Sequence, residues 1–320
     1  MTLQARAFWT IAAGTGELRV ETLAPPGPGE VLIETRFSSL SRGTERLVFE
    51  GRVPESEFAR MRAPRQSGDF PFPVKYGYAA VGRVAGSDEH VFALHPHQDR
   101  FVVPKEAVLP LPEGLPPARA ALAANMETAL NALWDSGVGP GERIVVVGGG
   151  AVGSLVAYLA GRIPGTETTL VDIDPARERL AHALGVGFAL PDAAPGGADL
   201  VFHASASAAG LATALACAGD EASVVELSWY GEGTVAAPLG GAFHALRLRL
   251  VSSQVGRISP GRRPRWTHRR RLAKALELLR DPRLDALLSK PVPFATLPAR
   301  MGELLAGPDP CPLIAYDGDA

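Results

Sequence analysis

The stretch RIVVVGGGAVGSLVAYLAG, Arg143 to Gly161, decides the fold. A β-branched apolar run, Ile144 to Val147, enters a turn that holds Gly148, Gly150 and Gly153 in the G-x-G-x-x-G spacing, and a helix-forming run follows. With 35 glycines in the chain the spacing alone arises by chance, so its weight comes from the strand before it and the helix after it. The first glycine permits the tight turn, the second lets backbone approach a pyrophosphate, and the third lets helix and strand pack closely. Ala151 and Val152 complete this loop at the helix N-terminus, whose amides face the phosphate charge. A second apolar strand ends in Asp172, 19 positions after Gly153. An acid near that distance accepts hydrogen bonds from the adenosine ribose and repels a 2′-phosphate, which favours NAD over NADP. Asp174, before Pro175, is the candidate helix cap, and Arg177 is either an adenosine-edge residue or a solvated helix residue.

Working outward, strand and helix patterns alternate through TTLVDID, PARERLAHALG, ADLVFHAS and EASVVELSW, the signature of a parallel sheet with crossover helices. Before residue 119 the texture differs. GELRVETL, EVLIETRF, YAAVGRVAG, HVFAL and RFVVP read as strands of a compact β-rich unit, broken by turns such as APPGPGE. Around residue 265 the chain turns basic, in RRPRWTHRRR (Arg262 to Arg271), which leads to an amphipathic helix. The expected organisation is therefore a β-rich domain over 1–122, a dinucleotide-binding domain over 123–265 and a return segment over 266–320.

The 320 residues suffice for two domains, and the formal charge of −2 gives no reason to expect nucleic acid or an anionic membrane as partner. The N-terminus lacks the apolar core of a signal peptide, and no run reaches the roughly 18 apolar residues of a membrane span. The two cysteines, Cys217 and Cys311, read as reduced thiols, and the expected location is the cytoplasm.

Several segments together resemble the medium-chain dehydrogenase/reductase superfamily: GPGEVLIET, YGYAAVGRV, GVGPGERIVVVGGGAVG and VDIDPARERLAHALG. The resemblance covers nearly the whole chain. It implies an α/β protein with a GroES-like β-rich catalytic domain and a Rossmann doubly wound cofactor domain. It also implies where zinc ligands would fall. The cysteine position lies at Ser41-Arg42 in LSRGTE, the histidine position is Tyr78, and the third ligand position is near Ala124. None of these residue types ligates zinc, so a zinc-independent member is expected, with no metal site. SRGTERLVFEGRVP and SSQVGRISP resemble the branch containing bacteriochlorophyllide dehydrogenase.

Without a metal, a hydroxyl donor must handle the alcohol proton while the nicotinamide carries hydride. Thr44, in the polar turn FSSLSRGTERL, resembles the family's proton-relay position, and Glu45 would orient Thr44 or Arg42. Their bland alternative is a turn-forming pair. Tyr78 is a second donor, or an aromatic filling the vacated metal space. The resemblance places Thr128 at the nicotinamide end, with Asn125 and Glu127 beside the lost ligand position. The substrate is expected between the SRGTE turn and the glycine loop.

His95 and His97, in HPHQD, read as surface histidines of a loop or as a substrate-entry edge. The six arginines from Arg262 to Arg271 read as a solvated face, or as a rim attracting an anionic substrate. The leading function is an NAD-dependent oxidoreductase on an alcohol/ketone pair. A quinone or enoyl reductase and an inactive nucleotide-binding protein are the alternatives. By analogy within the superfamily a homodimer is expected, pairing edge strands over Ala245 to Val255, where Leu246, Leu248 and Leu250 alternate with Arg247 and Arg249.

Overall fold

The computed structural model describes residues 3–316. The chain divides into two units. The first holds residues up to Ala124, Leu276–Arg280 and Leu288 onward; the second holds Asn125–Ala275 and Asp281–Leu287. The return therefore begins later than residue 266. The reason is local packing: Trp266 sits against Trp134 with ring centroids 4.7 Å apart, and Arg271 pairs with Glu127, both within the second unit.

The first unit is built on two sheets. Leu3–Ala12 pairs antiparallel with Thr15–Leu23 and with the short strand Val74–Lys75. In the seven-stranded sheet, Glu30–Ser39 is the central strand. It pairs with Ala80–Val84 on one side, and with Arg100–Pro104 and Leu313–Ala315 along the other. Alternation of apolar and polar residues sends Ile33, Ala80, Val91, Phe101 and Val103 into one core cluster. A second cluster gathers Phe8, Leu40, Phe49, Phe294, Ile314 and Tyr316.

The second unit is a six-stranded parallel sheet in the order Gly187–Ala189, Glu167–Val171, Arg143–Val147, Ala198–His203, Ala218–Glu226, Arg249–Ser252. The chain order reverses between Arg143–Val147 and Ala198–His203. That reversal creates a crevice at the carboxyl ends of these strands, the place where doubly wound sheets bind ligands. Helices Ala151–Ala160, Arg177–Leu184 and Ala208–Cys217 make the crossovers.

The edge differs from expectation. Arg249–Ser252 is the only strand in the 245–255 stretch, because Ala242–Ala245 is helical and Arg247 adopts φ +53°. That left-handed residue breaks the alternation, burying Leu248 while Leu250 and Val251 stay exposed.

Candidate functional site

The glycine loop is formed as its spacing requires. Gly148 takes φ +111°, a conformation side chains rarely adopt. A Cβ on Gly153 would stand 1.9 Å from the Gly148 carbonyl oxygen, so no larger residue fits at this helix–strand contact. A Cβ on Gly150 would meet nothing within 4 Å, leaving open space above the backbone at the N-cap of helix Ala151–Ala160. Asp172 turns its carboxylate to the loop: Oδ2 accepts the Gly149 amide at 2.6 Å and Oδ1 accepts the Asp174 amide at 2.9 Å. Each oxygen keeps a lone pair for a ribose hydroxyl. Arg177 lays its aliphatic stem over Gly149, and its guanidinium stands 3.7 Å from Asp174. Asp174 caps the following turn by accepting the Ala176 amide. The anion-facing helix end (Ala151, Val152, Gly153), the open Gly150 and the oriented Asp172 thus fit a dinucleotide.

Beside this loop is a cluster that the sequence did not reveal. His203, fully buried at the end of its strand, contacts Glu226 through Nδ1 at 2.7 Å and Ser205 through Nε2 at 2.7 Å. Tyr230 donates to the same Glu226 oxygen at 3.0 Å. Burial and the Glu226 charge push the Tyr230 phenol up. A Cβ on Gly148 would meet the Ser205 amide nitrogen at 2.7 Å, so this cluster borders the cofactor loop directly.

In the first unit the SRGTE segment is a helix, Arg42–Phe49, and not a turn. Leu47, Val48 and Phe49 are buried at its end, and Glu45 folds back to accept the Ser41 amide at 2.8 Å. That carboxylate-to-amide contact anchors the first turn in spite of Gly43. Thr44 is half-buried in the same turn. Tyr78 is also half-buried, edge-on to Tyr76 with centroids 6.0 Å apart. Burial, reinforced by the Glu45 charge, raises the Tyr78 phenol well above its usual value, while hydrogen bonding to Ser41 and Thr44 works in the opposite direction. The Ser41 and Thr44 hydroxyls thus border the Tyr78 phenol, which keeps its proton at neutral pH. It suits a hydrogen-bond donor better than a base.

His95 and His97 lie in a loop, as expected, but the surface placement is overturned. His95 and His97 are both buried. His95 stacks on Phe101 at 3.7 Å, and burial pushes its imidazole down to about 3. His97 contacts Glu45 through Nε2 at 2.8 Å and Ser38 through Nδ1 at 2.8 Å, and Ser38 contacts the Tyr316 hydroxyl at 3.0 Å. Glu45 thus orients neither Thr44 nor Arg42 by a direct carboxylate contact; its oxygens go to Ser41 and His97. Arg42 instead donates to the Leu305 and Asp309 carbonyls.

The positions that the resemblance assigned to zinc ligands hold Ser41 and Arg42, Tyr78 and Ala124. Among the described residues no group of three His, Cys, Asp or Glu side chains is placed to hold a metal ion. Hydroxyl, guanidinium and methyl groups do not supply the thiolate, imidazole or carboxylate set that zinc requires.

Thr128 is half-buried on helix Ala123–Ser136. Asn125 on the same helix is buried, and its Nδ2 has no hydrogen-bond partner among the described residues. Unsatisfied buried donors are rare, which makes Asn125 a further polar group open to a ligand. Glu127 is committed to Arg271 at 3.0 Å. The basic segment is accordingly less free than its composition implies. Arg271 is buried on Glu127, Asn131 and the Val255 carbonyl, Arg263 donates to the Ile258 carbonyl, and Arg262 and Arg270 lie over Trp134 and Trp266. Cys217 and Cys311 are free and buried. Among the described residues no helix is long and apolar enough to cross a membrane.

The chain matches no family model. It is similar over nearly its whole length to several solved structures. One is L-idonate 5-dehydrogenase from Escherichia coli K-12 MG1655, with TM-score 0.80, 14% identity and 99% of each chain covered. Another is a thermostable alcohol dehydrogenase from Pyrobaculum aerophilum, with TM-score 0.76, 19% identity, and 98% of this chain and 100% of that chain covered. A third is described as a short chain alcohol dehydrogenase from Escherichia coli CFT073 complexed with NADH, with TM-score 0.75, 13% identity, and 98% of this chain and 99% of that chain covered. The likeness establishes the fold: a β-rich unit and a parallel-sheet unit of the alcohol-dehydrogenase type.

Proposed function

We propose that the chain is an NAD-dependent oxidoreductase that moves hydride between the nicotinamide and an alcohol/ketone pair without zinc. The observation that carries this reading is the glycine loop of the second unit, with Gly150 open and Asp172 oriented by two backbone amides as a dinucleotide requires; the first unit by itself holds a cluster of hydroxyl side chains that includes Tyr78. The whole-length similarity to dehydrogenases, one complexed with NADH and one bound to NADP, supports a nicotinamide cofactor without choosing between the two. Asp172, oriented by two backbone amides, supports NADH over NADPH.

When bound, the cofactor supplies or accepts the hydride. Ala151, Val152 and Gly153 present helix-end amides to its phosphates, and Gly150 leaves room for them. The Tyr78 phenol, kept protonated by burial and braced by Ser41 and Thr44, donates to the substrate oxygen as negative charge develops there. The substrate is a small carbonyl or alcohol. A homodimer through the exposed edge strand Arg249–Ser252 is part of the same proposal, as is the branch resembling bacteriochlorophyllide dehydrogenase.

The reading is tested by following NADH oxidation across a panel of aldehydes, ketones, quinones and enones, with and without a chelator. Turnover on ketones or aldehydes that a chelator leaves intact supports it. Turnover confined to quinones or enones, dependence on zinc, or NADH binding with no turnover on any carbonyl would replace it.

A further inference from the structure

The carboxyl ends of neighbouring strands in the second unit stand in one line. Val147 pairs in register with Val171 on one side and with His203 on the other, and His203 pairs with Glu226. Asp172 follows Val171, and Gly148 follows Val147. A dinucleotide with its adenosine ribose at Asp172 and its phosphates at Gly150 therefore has its nicotinamide half on the side of His203 and Glu226.

Donor counting shows where the hydrogens of this cluster go. Glu226 Oε2 is reached by His203 Nδ1 at 2.7 Å and by the Tyr230 hydroxyl at 3.0 Å, and Oε1 accepts the Ser228 amide at 2.7 Å. With a neutral imidazole, Nδ1 donates to Glu226, so Nε2 accepts from Ser205 at 2.7 Å. Ser205 has then spent its hydrogen, and Ser207 donates to it at 3.0 Å. Every one of these hydrogens points inward, along the row to one carboxylate. Burial works against the Glu226 charge, but the donors from His203 and Ser228 outweigh it and hold the carboxyl below its usual range. Among the described residues no lysine or arginine pairs with Glu226; its one ion-pair contact is His203. Capping of the next helix is met by Ser207, which accepts the Gly210 amide, and calls for no carboxylate left without a cation.

We propose that Glu226 favours the oxidised form of the bound cofactor over the reduced form, and so makes bound NADH a stronger hydride donor. The inference rests on the dinucleotide reading above and adds a direction to it, reduction of the carbonyl. Loss of hydride from NADH to the carbonyl carbon carries away two electrons and one proton and leaves the nicotinamide ring with one positive charge. With one further proton on the oxygen, the sum is carbonyl plus NADH plus a proton giving alcohol plus NAD+. Adenosine and phosphates are the same in both forms, so only the ring's charge distinguishes them. A fixed negative charge on that half of the crevice stabilises the cationic ring and leaves the neutral one unaffected.

The test is binding alone, with no substrate present. NAD+ and NADH are each titrated by calorimetry into the full-length wild type, Glu226→Gln, Glu226→Asp and Ala206→Lys, at a pH about two units above the ordinary imidazole value. The quantity read is the ratio of the NADH Kd to the NAD+ Kd. Glu226→Gln keeps the side chain's shape and an acceptor for the Ser228 amide while removing the charge. It should lower the ratio on the order of 10-fold, as for unit charges about 10 Å apart at an effective dielectric of about 20. Glu226→Asp keeps the charge and should stay within about 2-fold of the wild type. Ala206 is exposed, and only its amide touches the cluster, at the Ser228 hydroxyl. A lysine there adds a positive charge without entering the cluster, and should also lower the ratio. A merely structural role for Glu226 would weaken both forms equally and leave the ratio unchanged. An unchanged ratio in a Glu226→Gln protein that melts near the wild-type temperature overturns the inference. If that variant does not fold, an unchanged ratio in Ala206→Lys overturns it. Binding of neither form by the wild type refutes the dinucleotide reading itself.

Discussion

Gly153 packs so tightly on Gly148 that a side-chain carbon at position 153 would lie 1.9 Å from the Gly148 carbonyl oxygen. Gly150, three residues earlier, faces open space. The two glycines of one loop should therefore respond differently to the same substitution. Gly153→Ala should destabilise the fold by about 1–3 kcal/mol through overpacking. Gly150→Ala should leave thermal stability near wild type and weaken NADH binding on the order of 10-fold, because the added methyl occupies the space for phosphate. Denaturant titration and calorimetry on both variants separate these outcomes. Equal destabilisation by both would contradict this assignment of the loop.

Asp172 should set the nucleotide preference. The wild type should bind NADH more tightly than NADPH, and Asp172→Asn should narrow the difference by removing repulsion of a 2′-phosphate. Titration of both cofactors into both proteins checks this. An unchanged ratio would remove Asp172 from the ribose site.

His95 gives a pH prediction. Its folded-state imidazole is held down to about 3 by burial, whereas the unfolded chain takes up a proton near the ordinary value of about 6.5. Between those limits the unfolded state binds more protons, so stability rises with pH and is lost as pH falls below about 6.5. The slope from one such group is at most about 1.4 kcal/mol per pH unit. His95→Phe should reduce the acid sensitivity of the unfolding free energy over pH 4–6. The same slope in variant and wild type would mean that His95 is not held neutral in the fold.

Apolar strand-like runs made much of the six- and seven-stranded sheets legible from the sequence, whereas of the four-stranded sheet only Thr15–Leu23 was read; the glycine loop with Asp172 was legible because its residues lie within 25 positions of Gly148. What escaped depends on long-range placement. Glu45 and His97 are 52 residues apart, and Ser38 and Tyr316 are 278 apart, so no local pattern joins them. HPHQD is the loop its sequence suggests, but its histidines are not on the surface: burial comes from Phe101 stacking and from partners elsewhere, which two histidines around a proline do not announce. SRGTE looked like a turn because Gly43 and the polar run disguise a helix whose apolar face begins only at Leu47. The edge strand was over-extended because alternation does not reveal that Arg247 turns left-handed.

The exposed edge bears on assembly. Leu250 and Val251 are more than a third exposed on the last strand of the parallel sheet. An apolar edge of this kind is a pairing surface unless it is covered. Light scattering at micromolar concentration should give a dimer mass, and Val251→Lys should shift it towards monomer without loss of NADH binding. A monomeric wild type would rule the dimer out.

The central claim is that a protein hydroxyl, not a metal, donates to the substrate oxygen. Its most direct measurement is single-turnover NADH oxidation, on whichever carbonyl supports the fastest rate, by wild type, Thr44→Val, Tyr78→Phe and the double variant. Tyr78→Phe should lower the rate on the order of 100-fold, as for loss of one oriented donor, while NADH affinity stays near wild type. Thr44→Val should lower it less, since Thr44 braces the phenol. Near wild-type rates in all three variants would contradict the claim.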